Sequence, residues 1–234
     1  MAKKSEQQLP APTVYLNPLT DFGFKKVFGD KELMIDLLNE TLPEAHITDV
    51  KYQPTEHLGD WGTERKAVYV VSLLNFNLDD TEDSEVIERV SLMNERTKKK
   101  FSTKLNFTYI QLPKFTKKIE ELETNMDYWL FLLKNLDNFQ SRPPEVQGRI
   151  FERLFHIARY DKLKPEEMKS YNKSILEYSD IAEAIEYAGE RAEKRKSIQF
   201  AKKCLQKGMN VVEIADLTDL PIETVKDIIK GIQG

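Results

Sequence analysis

Carboxylate side chains are concentrated in one stretch of this chain, residues 79–88. Six of these ten residues are acidic: Asp79, Asp80, Glu82, Asp83, Glu85 and Glu88. Carboxylates are the ligands that calcium and magnesium prefer, but the stretch lacks the glycine at the sharp bend of an EF-hand loop and has no flanking helical pattern. We therefore interpret it as a solvated connection between strands.

Histidine and cysteine add little chemistry. His46, His57 and His156 fall in three separate segments and share no ligand spacing, so we predict no metal site and no role for them. The single cysteine, Cys204, lies in a lysine-rich helical pattern. It cannot form an intramolecular disulfide, and we expect at most a mildly reactive thiol.

The densest basic stretch, residues 191–207, has a helical pattern that ends at Gly208. Six of its side chains are candidate ligands for DNA phosphates: Arg191, Lys194, Arg195, Lys196, Lys202 and Lys203. A solvated helix face is the alternative. The helical hairpin that follows has the proportions of a helix-turn-helix, but the charges of its second helix balance. Packing within the protein or between subunits is therefore the alternative to DNA contact there.

Composition is typical of a globular protein. The chain has 234 residues, 40% of them hydrophobic, and a net charge of −4. This is enough apolar material for a core, and it gives no overall positive field that would attract nucleic acid. The N-terminus has no apolar leader, and no apolar run reaches the roughly 18 residues of a membrane span. We expect a cytoplasmic protein without membrane contact.

The strand pattern centres on residues 66–78, KAVYVVSLLNFNL, whose apolar and β-branched residues predict a central strand buried on both faces. We also expect a short strand at residues 47–52 and an antiparallel pair at residues 86–93 and 104–112. Two short helices, capped by Thr20 or Asp21 and by Asp30, precede them. The predicted fold class is mixed α+β, with a small, partly antiparallel sheet and a predominantly helical C-terminal half.

The helical half begins after Pro113. From Pro165, apolar positions step alternately by three and four residues, which predicts a heptad seam suited to coiled-coil pairing: Met168, Tyr171, Ile175, Tyr178, Ala182 and Ile185. We divide the chain into a flexible lead (1–12), an α/β domain (13–113), a helical region with the seam (114–188), and a basic helix with the terminal hairpin (189–234).

Residues 16–43, LNPLTDFGFKKVFGDKELMIDLLNETLP, resemble the opening of the PD-(D/E)XK nuclease family transposases, also described as recombination-promoting nucleases. The resemblance resumes at AVYVVSLLNFNLDD, continues through residues 101–136, and is weaker in the charged helices and the terminal hairpin. It implies a mixed α/β nuclease core followed by helices. The implied activity is cleavage of DNA phosphodiester bonds with a divalent metal, Mg²⁺.

The resemblance also implies a catalytic segment, with an aspartate on one strand and Glu-x-Gln or Glu-x-Lys on the next. In one alignment Val70 stands where the aspartate belongs, and in the other the whole segment is bypassed. The family's entry motif is present at Asp21, Phe24, Lys25, Phe28 and Gly29. Asp21 and Lys25 are therefore the candidate catalytic relics, with helix capping and a plain surface position as their alternatives.

Together, the residues and the resemblance predict a shortened member of this family with little or no nuclease activity. Two alternatives of other classes stay open. The first is an interaction protein that pairs with itself or with a full-length relative through the heptad seam. The second is a module that binds DNA through residues 191–207 without cutting it.

Overall fold

The computed structural model describes residues 13–52, 67–78 and 85–233. Within this part, helices are followed by strands and then by helices again. The helices are α1 Asp21–Phe28, α2 Lys31–Thr41, α3 Asn125–Asn135, α4 Arg149–Ile157, α5 Pro165–Gln206, α6 Val211–Thr218 and α7 Ile222–Gln233; the strands are β1 Val68–Leu74, β2 Ile87–Ser91 and β3 Leu105–Gln111. This architecture confirms the predicted mixed α+β class.

Two side-chain caps and one glycine define the N-terminal helices. Thr20 Oγ1 accepts a hydrogen bond from Gly23 N at 3.0 Å, so Thr20 caps α1 and the capping alternative for Asp21 is wrong. Asp30 caps α2 through its carboxylate. A Cβ added to Gly23 would lie 1.9 Å from the carbonyl oxygen of Asn17. Only glycine therefore lets the preceding backbone pack this closely against the first turn of α1.

The sheet has the strand order β1-β3-β2, so β3 is its central strand. β3 pairs in parallel with β1 and antiparallel with β2, which confirms the predicted antiparallel pair. The prediction of a central strand at residues 66–78 is wrong, because β1 is an edge of the described sheet and its Tyr69 and Val70 are 36% and 38% exposed. An apolar run indicates that a strand is covered, but it does not say where the neighbouring strands lie.

The strand expected at residues 47–52 is also wrong, because the described chain has no regular secondary structure there. Asn39 takes the place of a partner strand. Its Oδ1 accepts a hydrogen bond from Ile47 N at 2.7 Å, and its Nδ2 donates to Ile47 O at 2.9 Å. A single side chain thus satisfies both backbone groups that a sheet would otherwise pair.

The larger hydrophobic core contains side chains of α1 to α4 and of the inner face of the sheet. Trp129 is fully buried at its centre, with ring centroids 5.9 Å from Phe28 and 5.5 Å from Phe151. The Trp129 indole donates a hydrogen bond to Asp36 Oδ2 at 2.6 Å, so its polar edge is satisfied. From the sheet, Ile110 of β3 is fully buried. The helices therefore supply the aromatic centre of the core, and the sheet closes one side.

The chain divides into two compact units, Met1–Ile175 and Leu176–Gly234. In the second unit, the end of α5 packs with α6 and α7 around Cys204, Ile214 and Val225. Asn210 caps α6, and Asp219 ends it in the left-handed conformation with φ of 53°. The predicted terminal hairpin is thus confirmed. None of the described helices combines the length and the apolar content that a membrane-spanning segment needs.

Candidate functional site

Asp21 and Lys25, the two candidate relics, lie one turn apart on the outer side of α1. Lys25 Nζ is 2.8 Å from Asp21 Oδ1, and the two side chains are 73% and 69% exposed, in that order. Each charge is balanced by the other in a surface pair, a type of contact that contributes about 0.3–0.5 kcal/mol to a helix. The exposure of Lys25 agrees with the plain surface position that we considered as the alternative to a catalytic role. A catalytic role for either residue stays a prediction.

A divalent metal needs several oxygen ligands directed at one point. Among the described residues, no three histidine, cysteine or carboxylate side chains form such a group. Near α1, Glu167 Oε1 is 2.7 Å from Lys26 Nζ. The hydrogen bond from Lys26 lowers the pKa of Glu167. Asp21 and Glu167 each hold a lysine already, so the described residues around α1 do not fit a Mg²⁺ ion.

The residues at the start of α1 bind the first turns of α5. Asn17 N donates a hydrogen bond to Tyr171 Oη at 2.8 Å, and Phe22 N donates to Ser174 Oγ at 3.1 Å. The Asn17 side chain donates to Asp137 Oδ2 at 2.8 Å, and burial raises the pKa of Asp137. Sequence reasoning missed Asn17, although an Asn-Pro pair just before a capped helix is a turn signal that could have marked it.

The outer face of the sheet carries a row of apolar side chains. Val70, Phe107 and Val90 are register neighbours across the three strands. The ring of Phe107 is stacked with that of Tyr109, with centroids 6.4 Å apart and an interplanar angle of 4°. Glu88, opposite Tyr109, is the one carboxylate on the three described strands. In the described strands, this face therefore presents apolar and aromatic side chains with a single carboxylate.

The acidic stretch, the histidines and Cys204, which the sequence analysis also considered, do not come together in one site among the described residues. Of the acidic stretch, residues 79–84 lie outside the described residues, as does His57. His46 and His156 are both exposed and belong to different segments of the first unit. Cys204 is only 5% exposed, because it packs in the core of the second unit.

All six candidate DNA-binding side chains project from α5 and are exposed: Arg191, Lys194, Arg195, Lys196, Lys202 and Lys203. At about 100° per residue, Arg191, Arg195 and Lys202 lie within roughly 40° of one another around the helix. The guanidinium of Arg191 also lies 5.7 Å from the ring centre of Tyr187. The structure thus brings three of the six charges to one side of α5 and places the others around it.

Charges on the second helix of the terminal hairpin are paired locally. Lys226 Nζ is 2.8 Å from Glu223 Oε1, and both side chains are on the surface of α7. Ile214 of α6 and Val225 of α7 are fully buried in the core that the two helices share with the end of α5. Because α7 has no excess of positive charge, the capacity of the second unit to hold phosphate lies on α5.

The predicted heptad seam divides into two parts with different surroundings. Its first part packs in the first unit around Leu16 and Leu163: Met168, Tyr171 and Ile175. In the second unit, Ile185 of the seam and the neighbouring Ile181 are 39% and 58% exposed. The first part therefore stabilises the chain itself, whereas the second leaves apolar side chains at the surface.

Comparison with known families finds a match over most of the chain. The family model of the PD-(D/E)XK nuclease family transposases matches residues 18–68 and 59–188, so the two matched pieces share residues 59–68. No curated protein and no solved structure matches the chain.

Proposed function

Since the chain belongs to the PD-(D/E)XK nuclease family transposases, we propose that it is a shortened member of this family with little or no nuclease activity. The observation that carries the proposal is the double match of residues 59–68, once at the end of the first piece and once at the start of the second. Two matched pieces that share residues of the chain are the form of match expected when an internal segment of the family is missing. In this proposal, the second piece begins beyond the missing segment.

The residues after this restart support the proposal. They lead into β1, which pairs in parallel with β3, and neither strand contains a carboxylate. Val70 occupies the position where one alignment of the family requires an aspartate. Phosphodiester cleavage with a divalent metal requires at least two ligands from neighbouring elements. In this proposal the chain keeps the helices of the family and has lost the strands whose side chains bind the metal in other members.

A plasmid-nicking assay tests this proposal. The purified full chain is incubated with supercoiled plasmid and Mg²⁺ or Mn²⁺, and we expect no nicking above the metal-free reaction. Asp21→Ala and Asp49→Ala are matched variants, because each aspartate lies 2.8 Å from a lysine on an exposed surface. Metal-dependent nicking that is lost in Asp21→Ala alone would overturn the proposal and identify Asp21 as catalytic. Nicking in all three proteins would overturn it and place the activity elsewhere.

A second candidate function is DNA binding without cleavage, and the exposed basic side of α5 favours it. Arg191, Arg195 and Lys202 share one side of the helix, and the six basic side chains extend over about 18 Å of helix length. Such a row can contact successive phosphates of a duplex without reading its sequence. The net charge of −4 means that binding depends on this local patch.

The salt dependence of duplex binding tests this second function. We expect affinity to fall as salt rises, because each phosphate contact releases counterions. Replacing Arg191, Arg195 and Lys202 by Gln should flatten the plot of log affinity against log salt by about 1 to 3 units. The matched control replaces Arg96, Lys99 and Lys100, three exposed residues between β2 and β3, and should keep the slope. An affinity that is independent of salt would contradict DNA binding through α5.

A further inference from the structure

The long helix α5 is packed near both of its ends and exposed in its middle. Near its start, Tyr171 is 3% exposed in a hydrophobic cluster of the first unit. Near its end, Cys204 is 5% exposed in the core of the second unit. Between them, in residues 181–196, every residue whose burial the structure describes is exposed, apart from the half-buried Ala182. The two ends of α5 are therefore held by tertiary packing, and its middle is not.

Residues 181–196, IAEAIEYAGERAEKRK, remain helical through local interactions. The stretch contains four alanines together with glutamates, lysines and arginines, all of which favour helix formation. The guanidinium of Arg191 lies 5.7 Å from the ring centre of Tyr187, one turn away on the same helix. None of the core clusters formed by the described residues includes a residue of this stretch. Its stability therefore depends on helix propensity and on contacts between neighbouring turns.

Gly189 is the weakest position of this stretch, and it lies near the centre. A Cβ added there would meet no atom within 4 Å. Its backbone is helical and has no positive φ, so neither a close neighbour nor the backbone conformation requires glycine. Glycine inside a helix lowers the helix–coil equilibrium constant by about fivefold relative to alanine. No contact of Gly189 among the described residues offsets this loss.

We propose that residues 181–196 of α5 form a hinge, a helical stretch that opens at Gly189 while the cores at the two ends of α5 stay folded. Opening the middle breaks helical backbone hydrogen bonds, whereas opening either end also exposes buried side chains. A gap inside a helix creates a new helix end, and its cost is set by the nucleation constant of about 10⁻³. This inference goes beyond the proposed function and does not depend on the nuclease ancestry of the chain.

Native-state hydrogen exchange of the full chain, followed by mass spectrometry, tests the hinge. The amides of residues 185–193 should be protected by about 10³-fold, the order set by the nucleation constant. The amides around Tyr171 and Cys204 should be protected at least about tenfold more strongly, because they exchange only when a core opens. Protection that is as strong in residues 185–193 as around Tyr171 and Cys204 would overturn the proposal.

Two matched substitutions at exposed positions test the role of Gly189. Gly189→Ala should raise the protection of residues 185–193 about fivefold, because alanine stabilises the helix without meeting a neighbour. Ala188→Gly, at the exposed position beside it, should lower this protection about fivefold. Both variants should leave the amides around Cys204 unchanged. Exchange in residues 185–193 that does not respond to Gly189→Ala would overturn the proposal.

The dependence of exchange on protein concentration separates a hinge from a surface that another copy covers. A hinge opens within one chain, so the protection of residues 185–193 should stay the same when the protein concentration is raised about 100-fold. A partner helix on this stretch would raise the protection with concentration by mass action. Such a rise would show that the stretch is packed in an assembly, and it would overturn the proposed hinge.

Discussion

The helical frame of the first unit, α1 to α4, and the sheet beside it differ in how completely they are packed. In the frame, Phe28 and Trp129 are at most 1% exposed and their rings are in contact. In the sheet, Tyr69 and Val70 of β1 are more than a third exposed. Phe28, one of the residues that mark the family at the N-terminus, thus serves packing. The free energy of unfolding should depend on the frame far more than on the outer edge of the sheet.

The largest expected effect comes from Trp129→Ala. Removing this side chain leaves a cavity beside Phe28 and Phe151, so the free energy of unfolding should fall by about 3–5 kcal/mol in urea titrations. Val70→Ala on β1 is the matched comparison and should cost well under about 1 kcal/mol, because Val70 is partly exposed. Equal costs for the two variants would break the contrast between frame and sheet.

The next effect is expected at the start of α1. Gly23→Ala introduces a Cβ that would lie 1.9 Å from the carbonyl oxygen of Asn17, so the backbone must move apart. Overpacking of this kind costs about 1–3 kcal/mol, which we expect in urea titrations of the variant. The segment before α1 also holds Tyr171, so the variant should loosen the first turns of α5, which hydrogen exchange would detect. Unchanged stability would mean that the close approach is not needed.

Asp30→Asn should give an effect that depends on pH. Arg153 donates hydrogen bonds to both oxygens of Asp30, at 2.8 and 2.6 Å, and this contact lowers the pKa of Asp30. The stabilisation is therefore complete above the unfolded-state pKa of about 3.9 and is lost as pH falls through the lower folded-state pKa. We expect a cost of about 1–2 kcal/mol at pH 7 that shrinks in urea titrations below about pH 4. A cost that does not vary with pH would contradict the charged contact.

Asp137→Asn should give the smallest effect, with the opposite sign. Burial raises the pKa of Asp137, so the folded frame favours the protonated form, and stability present at low pH is lost as pH rises through the folded-state pKa. The amide keeps an oxygen for the hydrogen bond from Asn17. We expect the variant to be more stable by up to about 1 kcal/mol at pH 7 and nearly neutral at low pH. Destabilisation at pH 7 would show that the charge itself is needed.

Local patterns predicted the parts of the fold that depend on nearby residues. Asp30 as a cap, the β2 and β3 pair, and the end of the long helix before Gly208 are signals read within a few residues. The position of β1 could not be read in this way, because its parallel partner β3 follows only after β2. The local pattern also did not predict that the Asn39 side chain would pair with the backbone of Ile47 in place of a neighbouring strand.

The same distinction applies to the candidate site. A spacing of four residues between Asp21 and Lys25 is enough to predict that they can pair on a helix. By contrast, the hydrogen bond from Asn17 to Tyr171 joins positions 154 residues apart, and nothing local in the sequence announces it. Sequence patterns therefore identified the charges of the chain but not the long-range contacts that hold the N-terminal segment.

Because Cys204 is buried, the rate of its chemical modification reports how often the second unit opens. Cys204 is the one thiol in the chain, and it packs with Ile214 and Val225 in that unit's core. A thiol reagent can react with it only after these helices separate, so the modification rate in native buffer measures the free energy of that local opening. Contacts that hold α5, α6 and α7 together should lower the labelling rate of Cys204. Variants with changes only in the first unit should leave this rate unchanged and serve as the reference.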